Sequence, residues 1–175
     1  MNAMTPTIAA GATVTELAPT TRIVLRLADP GGVGIALGVP LSERIGSRAT
    51  NGARSALCLG PDEWLIEAPE TEAATLGAMI ADLAARTAIS AVEVSDREIT
   101  WRIEGPAVLE LLAAGCPRNL AGMPVGEGAR TIFDSVQIVL TREAEDRFHL
   151  TVWRSFAPHV RAILDLALRE LASGL

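Results

Sequence analysis

Hydrophobic and polar positions alternate along residues 98–104: Ile99, Trp101 and Ile103 fall on one side, Glu98, Thr100, Arg102 and Glu104 on the other. A period of two marks a strand with one buried face. Gly105-Pro106 ends the alternation, and Val108, Leu109, Leu111 and Leu112 follow at helical spacing. Pro suits a first helical position because its φ is already helical. Gly115 is expected to close the helix in the left-handed conformation, and Pro117 to stop it continuing. The same reading gives strands at 22–28, 56–59, 63–68, 91–94, 129–133, 136–141 and 147–153. Residues 71–86 form an amphipathic helix through Leu76, Met79, Ile80 and Leu83. The clearest helix starts from a cap at Ser155, with Val160, Ile163, Leu164, Ala167, Leu168 and Leu171 in one stripe.

The pattern repeats. LADPGGVGIALGVPL lies over IEGPAVLELLAAGCPR, matching Pro30 to Pro106, Gly38 to Gly115 and Pro40 to Pro117. Gly52-Ala53-Arg54-Ser55 then meets Gly128-Ala129-Arg130-Thr131, and Asp62–Ile66 meets Asp146–Leu150. The second half has extra residues, assigned to a longer hairpin loop, where they cost little. The repeat makes residues 33–37 a helical turn although their glycines oppose one. The predicted class is α+β, with two sheet-plus-helix halves, 22–86 and 87–172, related by a pseudo-twofold axis. Together they make a single domain, 21–175, behind a mobile N-terminal segment, 1–20, whose periodicity is weak.

Composition narrows the chemistry. The net charge of −6 argues against nucleic acid and against an anionic membrane surface. Every basic residue is arginine, which excludes a Schiff-base lysine or a phosphate-loop lysine. Two cysteines, Cys58 and Cys116, are too few for a disulfide framework. The first basic residue is Arg22, so no signal-peptide pattern is expected, and no apolar run reaches membrane-spanning length. A cytoplasmic protein is expected.

Candidate sites are sparse. Gly32-Val33-Gly34 opens like a dinucleotide fingerprint, but Leu37 stands where the third glycine belongs, and a turn is the better reading. His149 and His159 have no metal-ligand spacing to each other or to a cysteine. Cys116 reads as a small buried hydrophobe rather than a nucleophile. Asp62 belongs to a turn, Glu63 adjoins it, and Glu93, Asp96 and Glu98 fall on strand ends and wet faces. The repeat sets Arg54 and Arg130 at one equivalent point. Trp64 and Trp101 read as core, whereas Trp153 alternates opposite Phe148, Leu150 and Val152. No catalytic, cofactor-binding or metal-binding residue is assigned.

The segments LGPDEWLIEAP, VSDREITWRIEGPAVLELLAAGCPRNL, GARTIF and HLTVWRSFAPHVRAILDLAL resemble the gamma subunit of heterotetrameric sarcosine oxidase, over most of the chain from Arg22. The resemblance implies an aminomethyltransferase-like fold, similar to the duplicated folate-binding domain of the glycine-cleavage aminomethyltransferases. It also implies alpha, beta and delta subunits as partners. Their complex would demethylate sarcosine oxidatively to glycine, passing the one-carbon unit to tetrahydrofolate and forming hydrogen peroxide. FAD, FMN, NAD and zinc would belong to those other subunits, and this chain alone would be inactive. Arg118-Asn119 and Gly128-Ala129 depart from the Leu-Asp and the cysteine expected there, while Glu93 fits. The candidate subunit contacts are Arg118, Asn119, Met123, Val125, Arg130 and Trp153, with the loop 120–128 as the first apolar patch. The alternative is a stand-alone folate-binding or one-carbon-transfer protein of the same superfamily, disfavoured by the chain's length and its lack of an acid–base set.

Overall fold

The computed structural model describes residues 7–9 and 11–173. In chain order the elements are β1 (Thr7–Ala9), β2 (Ala12–Glu16), β3 (Thr20–Leu27), α1 (Gly31–Leu37), β4 (Arg48–Asn51), β5 (Arg54–Gly60), β6 (Glu63–Pro69) and α2 (Ala73–Ala84). There follow β7 (Ile89–Glu93), β8 (Glu98–Glu104), α3 (Val108–Ala113), β9 (Gly128–Phe133), β10 (Val136–Ala144), β11 (Arg147–Trp153) and α4 (Ala157–Ser173). The chain divides into two compact units: Pro19–Ser95, and Asp96–Leu175 together with the chain before Pro19.

Within Pro19–Ser95 the antiparallel sheet runs β4-β5-β6-β3-β7. Its buried face carries Ile23, Leu25, Leu27, Ala56, Cys58, Trp64, Ile66 and Ala68, which pack with Val33 and Leu37 of α1 and Leu76 and Leu83 of α2. Trp64 is fully enclosed, and its Nε1 donates to the Ser42 carbonyl at 2.7 Å, so burying the ring leaves no donor unmet.

The other unit's sheet runs β1-β2-β8-β11-β10-β9. Trp101, Ile103, Ile138, Leu140, Phe148, Leu150 and Val152 form its core face with Leu111 and Leu112 of α3 and Val160, Leu164 and Leu168 of α4. Trp64 and Trp101 are thus core, as the alternation required.

The duplication is visible in backbone detail. The series β3-α1-β4-β5-β6-α2 is repeated as β8-α3-β9-β10-β11-α4. Both β5–β6 and β10–β11 carry a register shift at the same rung, between Cys58 and Gly60 and between Arg142 and Ala144. Gly46 N–H donates to the Cys58 carbonyl and Cys58 N–H to the Ser47 carbonyl; Gly126 and Glu127 repeat both bonds with Arg142. Gly46 and Gly126 have φ of 88° and 85°, a backbone only glycine adopts without strain.

Several expectations are corrected. The N-terminal segment 1–20 is not simply mobile: β2 pairs with β8, and Val14 is fully buried. Ala12 and Val14 do alternate with polar neighbours, but the stretch is too short to stand out. Residues 1–6 and 10 lie outside the described residues. β7 does not open the second half, since it pairs with β3. The strand before each central strand has therefore been exchanged, β2 to β8 and β7 to β3. Alternation reports which face of a strand is buried, not which strand lies beside it.

The longer second hairpin is built from ladder rather than loop. Both β4–β5 and β9–β10 close on two-residue turns, but β9 and β10 carry extra rungs, Ile132 with Gln137 and Phe133 with Val136. Arg54 opens β5, whereas Arg130 lies within β9, so the two arginines are not equivalent. Gly115 is not left-handed. A Cβ there would lie 2.8 Å from the Phe133 ring, so close packing by the extra rungs explains the glycine. Pro106 precedes the first helical residue, Val108. Ser155 does not cap α4; the entry turn is closed by Phe156 N–H on the Trp153 carbonyl and Ala157 N–H on the Arg154 carbonyl.

Candidate functional site

The glycine turn, the cysteines, Asp62, Glu63 and the two histidines each have identifiable packing or pairing partners. The Gly32-Val33-Gly34 turn does begin a helix, but Gly31 N–H at its start donates to Asp29 Oδ1 at 2.9 Å. A carboxylate of the chain already occupies the place a phosphate would take. Gly34 serves packing, since a Cβ there would lie 2.9 Å from both Leu41 N and Val39 O. The residues do not fit a dinucleotide. A cleft of about 500 Å³ beside α1 is lined by Pro30, Gly31, Gly34, Ile35 and Leu41, with Glu43 and Asn51 as its polar members. That set offers no acid–base pair.

Both cysteines are buried. Burial pushes the Cys58 thiol up from its usual value, away from the reactive thiolate, and its Sγ donates to the Gly60 carbonyl. Glu63 and Asp62 flank Arg26, with Glu63 Oε2 2.9 Å and Asp62 Oδ2 3.6 Å from its guanidinium. His149 Nδ1 lies 3.5 Å from Glu143, and His159 Nε2 lies 3.1 Å from Asp134. Among the described residues no group of three His, Cys, Asp or Glu side chains is placed to hold a metal ion.

Polar pairs mark the two central strand pairs. Arg22 of β3 bonds Glu67 of β6 at 3.1 Å, and the equivalent rung of β8 and β11 holds Thr100 and Thr151, 2.8 Å apart. Where β3 and β6 pair Arg26 with Glu63, β8 and β11 pair Glu104 with Arg147 at 2.8 Å, the charges reversed. Each charged member of these rungs is ion-paired across its strand pair.

The candidate contact residues are dispersed. Arg118 and Asn119 are exposed, and Asn119 Oδ1 accepts from Gly122 N–H at 3.2 Å. Val125 and Arg130 are exposed as well. Met123 is buried with Leu120, so this part of the loop faces inward and Met123 offers a partner nothing. The cause is Arg142, only 6% exposed, whose Nη1 donates to the carbonyls of Leu120, Ala121 and Met123, the last at 2.6 Å. Its Nη2 bonds Glu145, and the guanidinium lies 5.4 Å from the Phe148 ring centroid. Arg142 follows Val136, Ile138 and Leu140 in phase, so a charge on the apolar face of β10 was the available signal. Trp153 stands exposed at the end of β11 beside Phe156 and Arg97, two residues that periodicity did not single out.

The family model described as the sarcosine oxidase, gamma subunit family matches residues 27–170. Among solved structures, the chain is similar to one from the heterotetrameric sarcosine oxidase of Corynebacterium sp. U-96, solved with pyrrole 2-carboxylate. The TM-score is 0.84 at 26% identity, covering 92% of this chain and 85% of that one. It is also similar to glycine cleavage system aminomethyltransferase T from Bartonella henselae, with a TM-score of 0.68 at 16% identity over 89% of this chain and 46% of that one. That second likeness shows a shared fold. No curated protein sequence matches.

Proposed function

Because the chain belongs to the sarcosine oxidase, gamma subunit family, we propose that it serves as the non-catalytic gamma subunit of a heterotetrameric sarcosine oxidase. In this reading alpha, beta and delta subunits are its partners and bring the FAD, FMN, NAD, tetrahydrofolate and zinc sites. The complex oxidises the N-methyl group of sarcosine, releases glycine, hands the one-carbon unit to tetrahydrofolate and reduces oxygen to peroxide. This chain holds the assembly together, in the cytoplasm. The observation that carries the reading is the family match across residues 27–170. It is supported by the pairing of His149 with Glu143 and of His159 with Asp134, by the burial of Cys58 and Cys116, and by exposed Val125, Ile132, Trp153 and Phe156.

A partner that binds only the folded state of its neighbours raises their apparent stability by mass action. Coexpressing the flavin-bearing subunits with and without this chain, and measuring soluble yield, flavin content and peroxide formed from sarcosine, tests the role. All three are expected to fall without it. Equal yield and turnover in both preparations, or turnover by this chain alone, would contradict it.

A further inference from the structure

The duplication supplies an internal control for surface residues. β6 and β11 have the same length and are joined to α2 and α4 by spacers of the same length, so Pro69-Glu70-Thr71-Glu72 and Trp153-Arg154-Ser155-Phe156 occupy equivalent corners. At the first corner Glu72 is ion-paired with Arg54 at 2.5 Å, and the connection is wholly non-aromatic. This strand-to-helix turn therefore needs no aromatic residue to form.

The second corner nevertheless carries two. Trp153 is 38% and Phe156 46% exposed, and their ring centroids lie 6.2 Å apart. Arg97 stacks over the Trp153 ring, 4.7 Å from its centroid, and lies 3.9 Å from Glu98. Arg154 Nε donates to the Asp96 carbonyl at 3.1 Å, and its terminal nitrogens have no acceptor among the described residues. Two guanidiniums are thus fixed beside two exposed rings on a chain of net charge −6. Trp and Arg are the side chains that most often dominate a protein interface, because they combine large apolar area with directed hydrogen bonds.

We propose that the β11–α4 corner is a docking surface for a partner subunit's segment that pairs an aliphatic side chain with a carboxylate. The aliphatic group covers the Trp153 and Phe156 rings, and the carboxylate takes the free fork of Arg154. The inference rests on the assembly role proposed above and adds the surface and the chemistry of its occupant. Arg97, already stacked, holds the tryptophan in place and costs little to order on binding.

The test uses the full chain coexpressed with the alpha, beta and delta subunits. Arg154→Glu, Ser155→Thr and Phe156→Glu together install the other corner's own residues, a sequence that turn accommodates. Wild type is expected to copurify with the flavin-bearing subunits, and the triple variant to bind at least about tenfold more weakly with its melting temperature retained. If the triple variant does not fold, Arg154→Glu alone is expected to weaken assembly in the same direction and to remove most of its salt dependence. A folded variant that assembles as tightly as wild type overturns this proposal and leaves the assembly role standing. Failure of the wild-type chain to copurify removes both. A dimer of the isolated chain that Phe156→Glu dissolves would place a second copy on the corner and also overturn it.

Discussion

At the scale of single residues, the informative positions are those where chemistry and pattern disagree. Arg142 occupies a core-facing rung, and removing its guanidinium would leave the Leu120, Ala121 and Met123 carbonyls without their donor. Arg142→Met should therefore destabilise the chain by about 2–4 kcal/mol in urea unfolding, although it adds apolar volume. Gly115→Ala should also destabilise, by about 1–3 kcal/mol, because its methyl group would lie 2.8 Å from the ring of fully buried Phe133. Asp134 is the one described non-glycine residue with positive φ, 54°, and it accepts from His159 and from Ser135 Oγ. The His159 bond, with Ser135, holds its carboxyl below the usual range. A depressed carboxylate pKa gives stability that is present above the unfolded value and lost as pH falls through the folded one. Melting temperature should accordingly drop more steeply on acidification for wild type than for Asp134→Asn, which tolerates the same φ. Parallel pH profiles for the two proteins would show that the contact contributes nothing.

At the scale of elements, periodicity read faces well and neighbours poorly. The strands and helices around Trp64, Trp101 and the α4 stripe were legible because burial leaves a mark on each residue separately. Pairing leaves no such mark. The two extra rungs of β9–β10 lengthen the second hairpin without marking its letters, so Gly-Ala-Arg falls at the turn into β5 in one half and inside β9 in the other, and Arg54 does not correspond to Arg130. The exchange of β2 and β7 was invisible for the same reason. It has a direct consequence: removing residues 1–18 takes β2 from β8, uncovers part of the apolar core and opens a strand edge. The truncated chain is expected to lose at least about 3 kcal/mol of stability and to aggregate on heating, measured by unfolding and light scattering. Unchanged unfolding would mean that β2 adds nothing to its sheet.

At the scale of the whole molecule, the candidate site was only partly legible. A surface that binds a protein has no required spacing of ligands or nucleophiles, so the sequence could offer only single residues. Trp153 stands out because it falls on the face opposite Phe148, Leu150 and Val152, whereas Arg97 joins it only through the fold. The loop 120–128 looked apolar and surface-bound, but Arg142 draws its Leu120 and Met123 segment inward. The chain belongs to the gamma subunit family. Among the described residues no helix is long and apolar enough to cross a membrane. The central claim is that this chain works as one subunit of a heterotetrameric oxidase. Its most direct test is native mass spectrometry of the complex recovered through a tag on this chain from its own cell. The account predicts one species containing this chain and three different subunits, carrying flavin and forming peroxide from sarcosine. Recovery of the chain alone, or only with copies of itself, would contradict it.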